Sequence, residues 1–424
     1  MPNNELLRVP LPCRAAPTRR LAPLVAAFAL LAGCQDSTAP AAPPPECSAA
    51  AARALSAADR APARLAVELP PLDDAFRRAE RDFGVPAALL QAVGYVETRW
   101  QMLESRPAYP GQPSLHGLMG IKGAALARAA ALAGLSEAEV RRRPEANVRA
   151  AAALLRAYAD EAGLDRADLG AWAPALARYS GITTAAARRA YVEDDVYGIL
   201  RRGAVGVARG GTAALTLAAR AERLGPPSRP ARALADACPP PPPPTDFAGA
   251  LWRPAPSGNF RLGRPAGEAG KVVMVIIHTC ESGYSSCWGW LTNPQAGVSA
   301  HYVVNESGSE VSQLVREANE AWHIAARYDC TLNGHAECQR NGQRSNEFTV
   351  GIEHAGFAAQ TAWPATQIDA SARLVCDMSK RWGIPRDRFH VVAHGTLQPH
   401  NRTDPGANWP WAQYLARIDA HCGA

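Results

Sequence analysis

Six consecutive prolines, Pro239–Pro244, constrain the fold of this chain more than any other feature. A proline run forms stiff polyproline II, which neither a helix interior nor the middle of a sheet tolerates. The run separates a half rich in Ala, Leu and Arg from a half rich in Val, His and Trp. The 424 residues are enough for two to three domains at roughly 150 residues each. We therefore predict two folded units, one on each side of a proline-rich linker.

The first half has the pattern of a helical domain. Gly84 ends one segment, and Pro86 stands where the first turn of the next begins. The predicted helices cover Pro71–Phe83, Ala87–Glu97, Gly123–Ala133, Ser136–Arg143, Glu145–Ala162, Trp172–Tyr179 and Thr184–Arg202. From Gly203 to Thr245 we expect a loose connector with one helix near Ala213–Leu224.

The pattern of hydrophobic residues is different in the second half. Lys271–His278 (KVVMVIIH) is a continuous apolar run, typical of a strand buried on both faces. Further strands are predicted over His301–Asn305, Val311–Val315, Phe348–Glu353 and Phe389–His394, and helices over Gln367–Trp382 and Trp411–Ala420. Strands mixed with long helices predict an α/β domain with a mixed sheet.

The N-terminal segment predicts export. Arg14, Arg19 and Arg20 precede the apolar stretch Leu21–Leu31, which is too short to span a bilayer. Leu-Ala-Gly-Cys34 follows and resembles a bacterial lipobox, in which the cysteine is lipidated and becomes the mature N-terminus. The alternative is an ordinary cleaved signal with an unrelated cysteine. We expect an exported lipoprotein, anchored in a membrane through Cys34 and facing the periplasm or the cell surface.

These features divide the chain into five predicted segments. They are a lipoprotein signal peptide (1–34), an Ala/Pro-rich tether (35–65), a helical domain (66–203), a linker with the proline run (204–246) and an α/β domain (247–424). The net charge of +6 is spread over the whole length, which is typical of solubility and gives no reason to expect a nucleic-acid partner.

Eight cysteines remain after Cys13 and Cys34 are set aside. An even number in an exported chain predicts disulfides. Proximity along the chain favours the pairs Cys280–Cys287, Cys330–Cys338 and Cys376–Cys422, with Cys47–Cys238 bracketing the first domain. A cysteine metal site is the alternative, but no C-x2-C pair occurs.

Histidines concentrate in the second half, where nine of the ten lie at or after position 278. His278 and His394 each end a predicted strand, and Asp404 follows ten residues later before a Pro-Gly turn. Two imidazoles, one carboxylate and one open position form the usual catalytic Zn²⁺ site. The same set occurs in non-haem Fe(II) oxygenases, but their H-x-D pattern is missing at His278. We therefore predict zinc.

Residues 271–415 resemble the zinc-dependent N-acetylmuramoyl-L-alanine amidases of the type-2 amidase and peptidoglycan-recognition-protein superfamily. The matching blocks are VIIHT (His278), VSAHYVV (His301), AWH (His323), VGIEHAG (Glu353) and VVAHGTLQPHNRTDPG (His394 to Gly406). The resemblance implies that zinc is bound by the predicted triad of His278, His394 and Asp404.

The same resemblance assigns further roles. It implies that Glu353 is the general base, that Arg402 stabilises the transition state, and that His301 and His323 contact substrate. The sequence departs from the family at Arg402, where lysine is common, and in residues 330–345, which look like an insertion.

One carboxylate stands out in the first half. Leu90, Val93 and Glu97 share one face of a predicted helix, so Glu97 must find a partner, such as Arg99, or hold its proton with a raised pKa. A protonated buried Glu suits a general acid for glycosidic bonds.

Residues 76–200 resemble soluble lytic transglycosylases, which have an all-α, goose-lysozyme-like fold. The matching blocks are FGVPAALLQAVGYVETRW, HGLMGI, PEANVRAAAALL, ARYSG and RRAYVEDD. The resemblance implies that Glu97 protonates the glycosidic oxygen and that Tyr179 and Tyr191 contact the saccharide. Departures at Thr98, Gly120 and Ser180 leave open whether the domain cleaves glycan or only binds it.

Together these patterns predict a zinc peptidoglycan amidase that hydrolyses the bond between N-acetylmuramic acid and L-alanine. The attached transglycosylase-like domain would cleave or bind the glycan, so the expected partners are peptidoglycan and a lipid membrane. The alternative is a non-catalytic peptidoglycan-binding lipoprotein.

Overall fold

A computed structural model of the chain describes residues 63–66, 72–107, 109–207, 213–220, 224 and 245–423. The predicted signal peptide with Cys34, most of the predicted tether and the proline run lie outside the described residues. We call the described residues up to 224 the helical half and residues 245–423 the sheet half. None of the helices in the described ranges is long and apolar enough to cross a membrane.

The helical half follows the predicted helices closely. Its α-helices are α1 Asp73–Phe83, α2 Ala87–Thr98, α3 Gly123–Ala133, α4 Glu137–Arg142, α5 Pro144–Glu161, α6 Ala173–Tyr179, α7 Ala185–Ala190 and α8 Tyr197–Arg202. A 3-10 turn, Gly170–Trp172, precedes α6, and a π-helical segment, Tyr191–Val196, joins α7 to α8. Left-handed Gly84 and Gly134 end α1 and α3, because glycine tolerates positive φ at a helix end.

Strands are present in this half as well. They are β1 Ala63–Ala66, β2 Leu115–His116, β3 Ile121–Lys122, β4 Ala204–Val207 and β5 Ala213–Leu217. The expectation of a helix near Ala213–Leu224 is wrong for its first five residues, which form β5 against β4. Leu215 and Leu217 are buried while Thr216 is exposed, so burial on one face of a strand decided the structure there.

The sheet half is built on one large mixed sheet. Its strands are β6 Leu251–Trp252, β7 Phe260–Arg261, β8 Met274–Thr279, β9 Tyr302–Val304, β10 Val311–Gln313, β11 Glu320–Ala321, β12 Thr349–His354 and β13 Val391–Ala393. The sheet order is β13-β8-β12-β9-β10-β6, with β8 parallel to both of its neighbours and β9 antiparallel to β10. The central strands β8 and β12 are buried along their whole length, as the apolar run predicts.

Helices cover this sheet. They are α9 Tyr284–Leu291, α10 Ala365–Trp382, α11 His394–Leu397 and α12 Trp411–Cys422, with 3-10 turns at Ser257–Asn259, Gly267–Gly270, Pro294–Ala296, Cys330–Asn333, Cys338–Arg340 and Ser345–Glu347. The buried face of α10 packs on the sheet in one apolar cluster with α12. Three predicted disulfides are confirmed, Cys280–Cys287, Cys330–Cys338 and Cys376–Cys422. The predicted pair Cys47–Cys238 lies outside the described residues.

The two halves touch each other directly. Buried Arg99 of the helical half forms an ion pair with Glu306 at 2.8 Å. Oγ1 of Thr184 donates to the carbonyl oxygen of Gly289 at 2.9 Å. Tyr109 and Ala187 lie in an apolar cluster whose other fully buried members belong to the sheet half. Residues from two segments of the helical half therefore become part of a core of the sheet half.

Candidate functional site

Three parallel strands of the large sheet end at the same place. Glu353 on β12 lies opposite His278 on β8, and β13 flanks β8 on its other side. His394 is the first residue after β13. Because parallel strands have their carboxyl ends at one edge, the side chains of His278, Glu353 and His394 gather there.

His278, His394 and Asp404 form a compact group of possible metal ligands. Nδ1 of His278 lies 3.0 Å from Nδ1 of His394, and Oδ2 of Asp404 lies 3.2 and 3.1 Å from these two nitrogens. All three residues are buried. Asp404 is held in place because its carbonyl oxygen accepts the amide hydrogen of Gly395 at 2.9 Å, next to the end of β13.

The electrostatics of this group suit a cation. Burial lowers the pKa of His278 to about 4, and the neighbouring His394 acts in the same direction. Burial alone would raise the pKa of Asp404, but the imidazoles of His394 and His278 hold it below its ordinary value. At neutral pH the group therefore offers neutral His278 and a carboxylate. Two imidazoles and a carboxylate are the donors of a catalytic zinc centre, so these residues fit a zinc ion.

The far side of each candidate histidine ligand is hydrogen-bonded. Nε2 of His278 lies 3.0 Å from Nδ1 of His323, whose Nε2 lies 3.2 Å from Oγ1 of Thr349. Nε2 of His394 lies 3.3 Å from Oε1 of Gln398. Partners of this kind fix the orientation of a metal-binding ring. They leave Nδ1 of both histidines facing the centre.

The two histidines predicted to contact substrate are both buried. Nδ1 of His301 accepts the amide hydrogen of Gly351 at 3.0 Å, and its Nε2 lies 3.2 Å from the carbonyl oxygen of Asn319. His323 stands behind His278. Contact with substrate stays a prediction for both residues. Their buried, hydrogen-bonded placement favours a role in holding neighbouring residues of the site in position.

Glu353 is fully buried beside this group. The hydroxyl of Tyr109, from the helical half, donates to its Oε1 at 2.5 Å, whereas Oε2 is buried with no hydrogen-bond partner among the described residues. Burial raises the pKa of Glu353 to about 8, with the charges of Asp404 and Glu281 in the same direction and the Tyr109 hydrogen bond opposing them. Partly buried Arg402 is near enough for its charge to lower that pKa.

The helical half brings a second group together. Glu97 is buried and accepts hydrogen bonds from Nζ of Lys122 at 2.6 Å and from the hydroxyl of Tyr191 at 2.7 Å. Tyr179, also predicted to contact saccharide, donates to the carbonyl oxygen of Met119 at 2.8 Å. The partner of Glu97 is therefore Lys122 and not Arg99, the partner considered from the sequence, whose guanidinium pairs with Glu306.

The residue beside Glu97 is glycine for a steric reason. A Cβ placed on Gly120 would lie 2.7 Å from both Cβ and Oε2 of Glu97, and its φ is +58°. A larger residue at position 120 is thus incompatible with this position of the Glu97 side chain.

The comparisons with known proteins concern the sheet half. Residues 268–407, which include the triad, Glu353 and Arg402, match the family described as N-acetylmuramoyl-L-alanine amidase. N-acetylmuramoyl-L-alanine amidase A of Achromobacter lyticus is 34% identical over 196 residues, which are 42% of this chain and 98% of that protein. The chain belongs to the N-acetylmuramoyl-L-alanine amidase family.

Other members of this amidase family are matched over less of their length. AmiD of Escherichia coli (strain K12) is 28% identical over 157 residues, 34% of this chain and 52% of AmiD, so the chain spans about half of that relative. A solved complex of E. coli AmiD with anhydro-N-acetylmuramic acid-L-Ala-D-gamma-Glu-L-Lys has 26% identity and a TM-score of 0.30. The matched region covers 36% of this chain and 60% of the AmiD chain in that complex.

Two residues at these sites were missed by the sequence analysis. Tyr109 lies in an irregular segment, Arg-Pro-Ala-Tyr-Pro-Gly, that has no periodicity and no motif. Lys122 did have a signal, because lysine is rare here, at positions 122, 271 and 380 only, and one of the three directly follows the HGLMGI block.

Proposed function

We propose that this protein is a zinc-dependent peptidoglycan amidase that hydrolyses the bond between N-acetylmuramic acid and the L-alanine of the stem peptide. The observation that carries the proposal is the group of His278, His394 and Asp404 beside buried Glu353, within the region that matches the amidase family. Zinc held by the triad would polarise the amide carbonyl and make an attacking water more acidic.

The protein's own residues supply the remaining chemistry. A divalent cation held beside Glu353 would lower its raised pKa and leave the carboxylate ionised. Oε2 of Glu353 is then the oxygen left to accept a proton from the attacking water, because Oε1 is already bonded to Tyr109. Glu353 then returns that proton to the nitrogen of the leaving L-alanine. Arg402, whose charge reaches Glu353, compensates the negative charge that develops on the amide oxygen.

For the helical half we propose glycan binding beside the amidase. The ion pair between Glu97 and Lys122 supports binding over cleavage, because the ammonium occupies Oε2, an oxygen that a general acid would direct at the glycosidic bond. Tyr179 and Tyr191 would contact the saccharide. Cleavage by Glu97, as in lytic transglycosylases, is the second candidate, supported by the burial of Glu97 and its hydrogen bond with Tyr191.

We also propose that the protein is exported and anchored by a lipid on Cys34. The disulfides of the sheet half support export, because structural disulfides persist in oxidising compartments.

The test is mass spectrometry of purified peptidoglycan digested by the mature chain, with and without a zinc chelator. We expect free stem peptides that disappear with the chelator and return when zinc is restored. Absence of products at every zinc concentration would refute the amidase and leave a non-catalytic binding protein. Chelator-resistant anhydro-muramyl products, lost in Glu97→Gln, would show that the helical half cleaves glycan.

A further inference from the structure

One segment of the helical half reaches the amidase site. It comprises Ser105–Gln112, between α2 and β2, of which Ala108 is not described. The amide of Arg106 donates to Oε2 of Glu281 at 3.2 Å. Nε2 of Gln112 donates to the carbonyl oxygen of Cys280 at 2.7 Å. These bonds fix the segment at both ends on the loop that follows β8, at Cys280 and Glu281, two and three residues beyond His278.

Between those two anchors stands Tyr109. Only 8% of the residue is exposed, and its ring lies in the apolar cluster with Cys280, Cys287 and Tyr284. Its hydroxyl is directed at Oε1 of Glu353. Burial and the carboxylate of Glu353 raise the pKa of this phenol well above its ordinary value of 10, so the hydroxyl keeps its proton and donates it in the hydrogen bond.

The hydrogen bond matters because Glu353 has little else to hold it. Among the described residues, Tyr109 is the hydrogen-bond donor that reaches this carboxylate, while the second oxygen has no such partner. A glutamate has three rotatable side-chain bonds, and a carboxylate that must accept a proton at one atom has to be held in one orientation. A single strong bond to Oε1 fixes the plane of the group and leaves Oε2 available.

We propose that Tyr109 is a positioning residue of the amidase, and that the helical half thereby completes the active site of the sheet half. The inference rests on the proposed amidase function and on the role of Glu353 as its general base. The opposite interpretation is that the segment is a cover, which must withdraw from Glu353 before substrate binds. The two interpretations predict opposite changes in activity when the hydroxyl is removed.

The test is Tyr109→Phe in the full mature chain, because phenylalanine keeps the ring and removes only the donor. With a soluble N-acetylmuramoyl peptide as substrate, we expect kcat to fall about 10- to 100-fold, the range for a hydrogen bond to a charged group. KM, zinc content and the melting temperature should stay near those of the wild type. The matched control is Tyr197→Phe, which removes a buried hydroxyl that donates to the carbonyl oxygens of Leu169 and Gly170 in the helical half. That control should leave kcat unchanged.

Each outcome decides the inference. An unchanged kcat in an active wild-type background would overturn it, and so would an equal loss in Tyr197→Phe. A raised kcat would also overturn it and identify the segment as a cover. Failure of the proposed function is a separate result, because wild-type protein loaded with zinc would then release no stem peptide at all.

Discussion

Asp195 gives a prediction that can be worked out from its surroundings. It lies in the π-helical segment between α7 and α8, where the helical half meets the sheet half. The residue is partly exposed, but its Oδ2 is buried without a hydrogen-bond partner among the described residues. Burial raises its pKa from 3.8 to about 7; a hydrogen bond from Ser285 of the sheet half lowers it, and the charges of Asp194 and Glu310 raise it further.

The sign of the effect on stability follows from the two pKa values. The folded protein binds this proton more tightly than the unfolded chain, so the free energy of unfolding falls as the pH rises from about 4 to about 7. A difference of about 3 pKa units corresponds to roughly 4 kcal/mol above pH 7. Because the residue is partly exposed, solvent screening makes this value an upper limit.

Asp195→Asn replaces the acid by a neutral side chain of the same shape. We expect the variant to be more stable than the wild type at pH 8, by about 1 to 4 kcal/mol, and to lie within about 1 kcal/mol of it at pH 4.5. Urea unfolding followed by tryptophan fluorescence at both pH values measures the difference. Asp419→Asn is the matched control, because its carboxylate is 46% exposed and pairs with Arg386. An equal change at both pH values, or a loss of stability at pH 8, would refute the reasoning.

Three further predictions concern the amidase site. His394→Ala removes a candidate zinc ligand, so zinc content, measured by atomic absorption, and amidase activity should be lost together. The control His421→Ala removes a histidine that pairs with Asp369, and it should keep both. Glu353→Gln keeps the shape of the proposed general base but cannot accept a proton; it should retain stoichiometric zinc while turnover falls at least 100-fold, and full turnover would exclude Glu353 as the base. Gly406→Ala places a Cβ about 2 Å from the carbonyl oxygen of Ala358 at a φ of +92°, so the turn after Asp404 must shift. Chelator competition should show weaker zinc binding in this variant, and unchanged affinity would mean that the turn does not orient Asp404.

The gathering of His278, His394 and Asp404 could be predicted from the sequence because each stands at a position that local pattern defines. The apolar run before His278 marks a strand buried on both faces, and such strands in a parallel arrangement end at one edge. His394 follows a second run of the same kind, and Asp404 is ten residues away in the chain. Two of the three confirmed disulfides could also be predicted from local sequence, since Cys280–Cys287 and Cys330–Cys338 join residues seven and eight positions apart.

Tyr109 and Lys122 could not be placed in the same way. Tyr109 is 244 positions from Glu353, and the two meet only because the halves pack against each other. The proline run suggested two separate units and gave no sign of this contact. Lys122 is 25 positions from Glu97 in the chain and lies on β3 of the short β2–β3 hairpin, from which its ammonium reaches the Glu97 carboxylate. Neither pairing leaves a periodic signal, since each depends on tertiary packing and not on the local preferences of the chain.

One departure from the transglycosylase pattern, Gly120, bears directly on the position of Glu97. Without a side chain at position 120, the Glu97 carboxylate lies directly over Gly120, and in that position Lys122 reaches its Oε2. A carboxyl group whose Oε2 is bonded to the Lys122 ammonium is poorly placed to protonate a glycosidic oxygen. The segment Ser105–Gln112, by contrast, is fixed on the amidase loop at both ends and directs Tyr109 at Glu353. The side chains of the helical half thus favour a domain that contributes to the chemistry of its neighbour, and the kcat of Tyr109→Phe is the quantity that decides this.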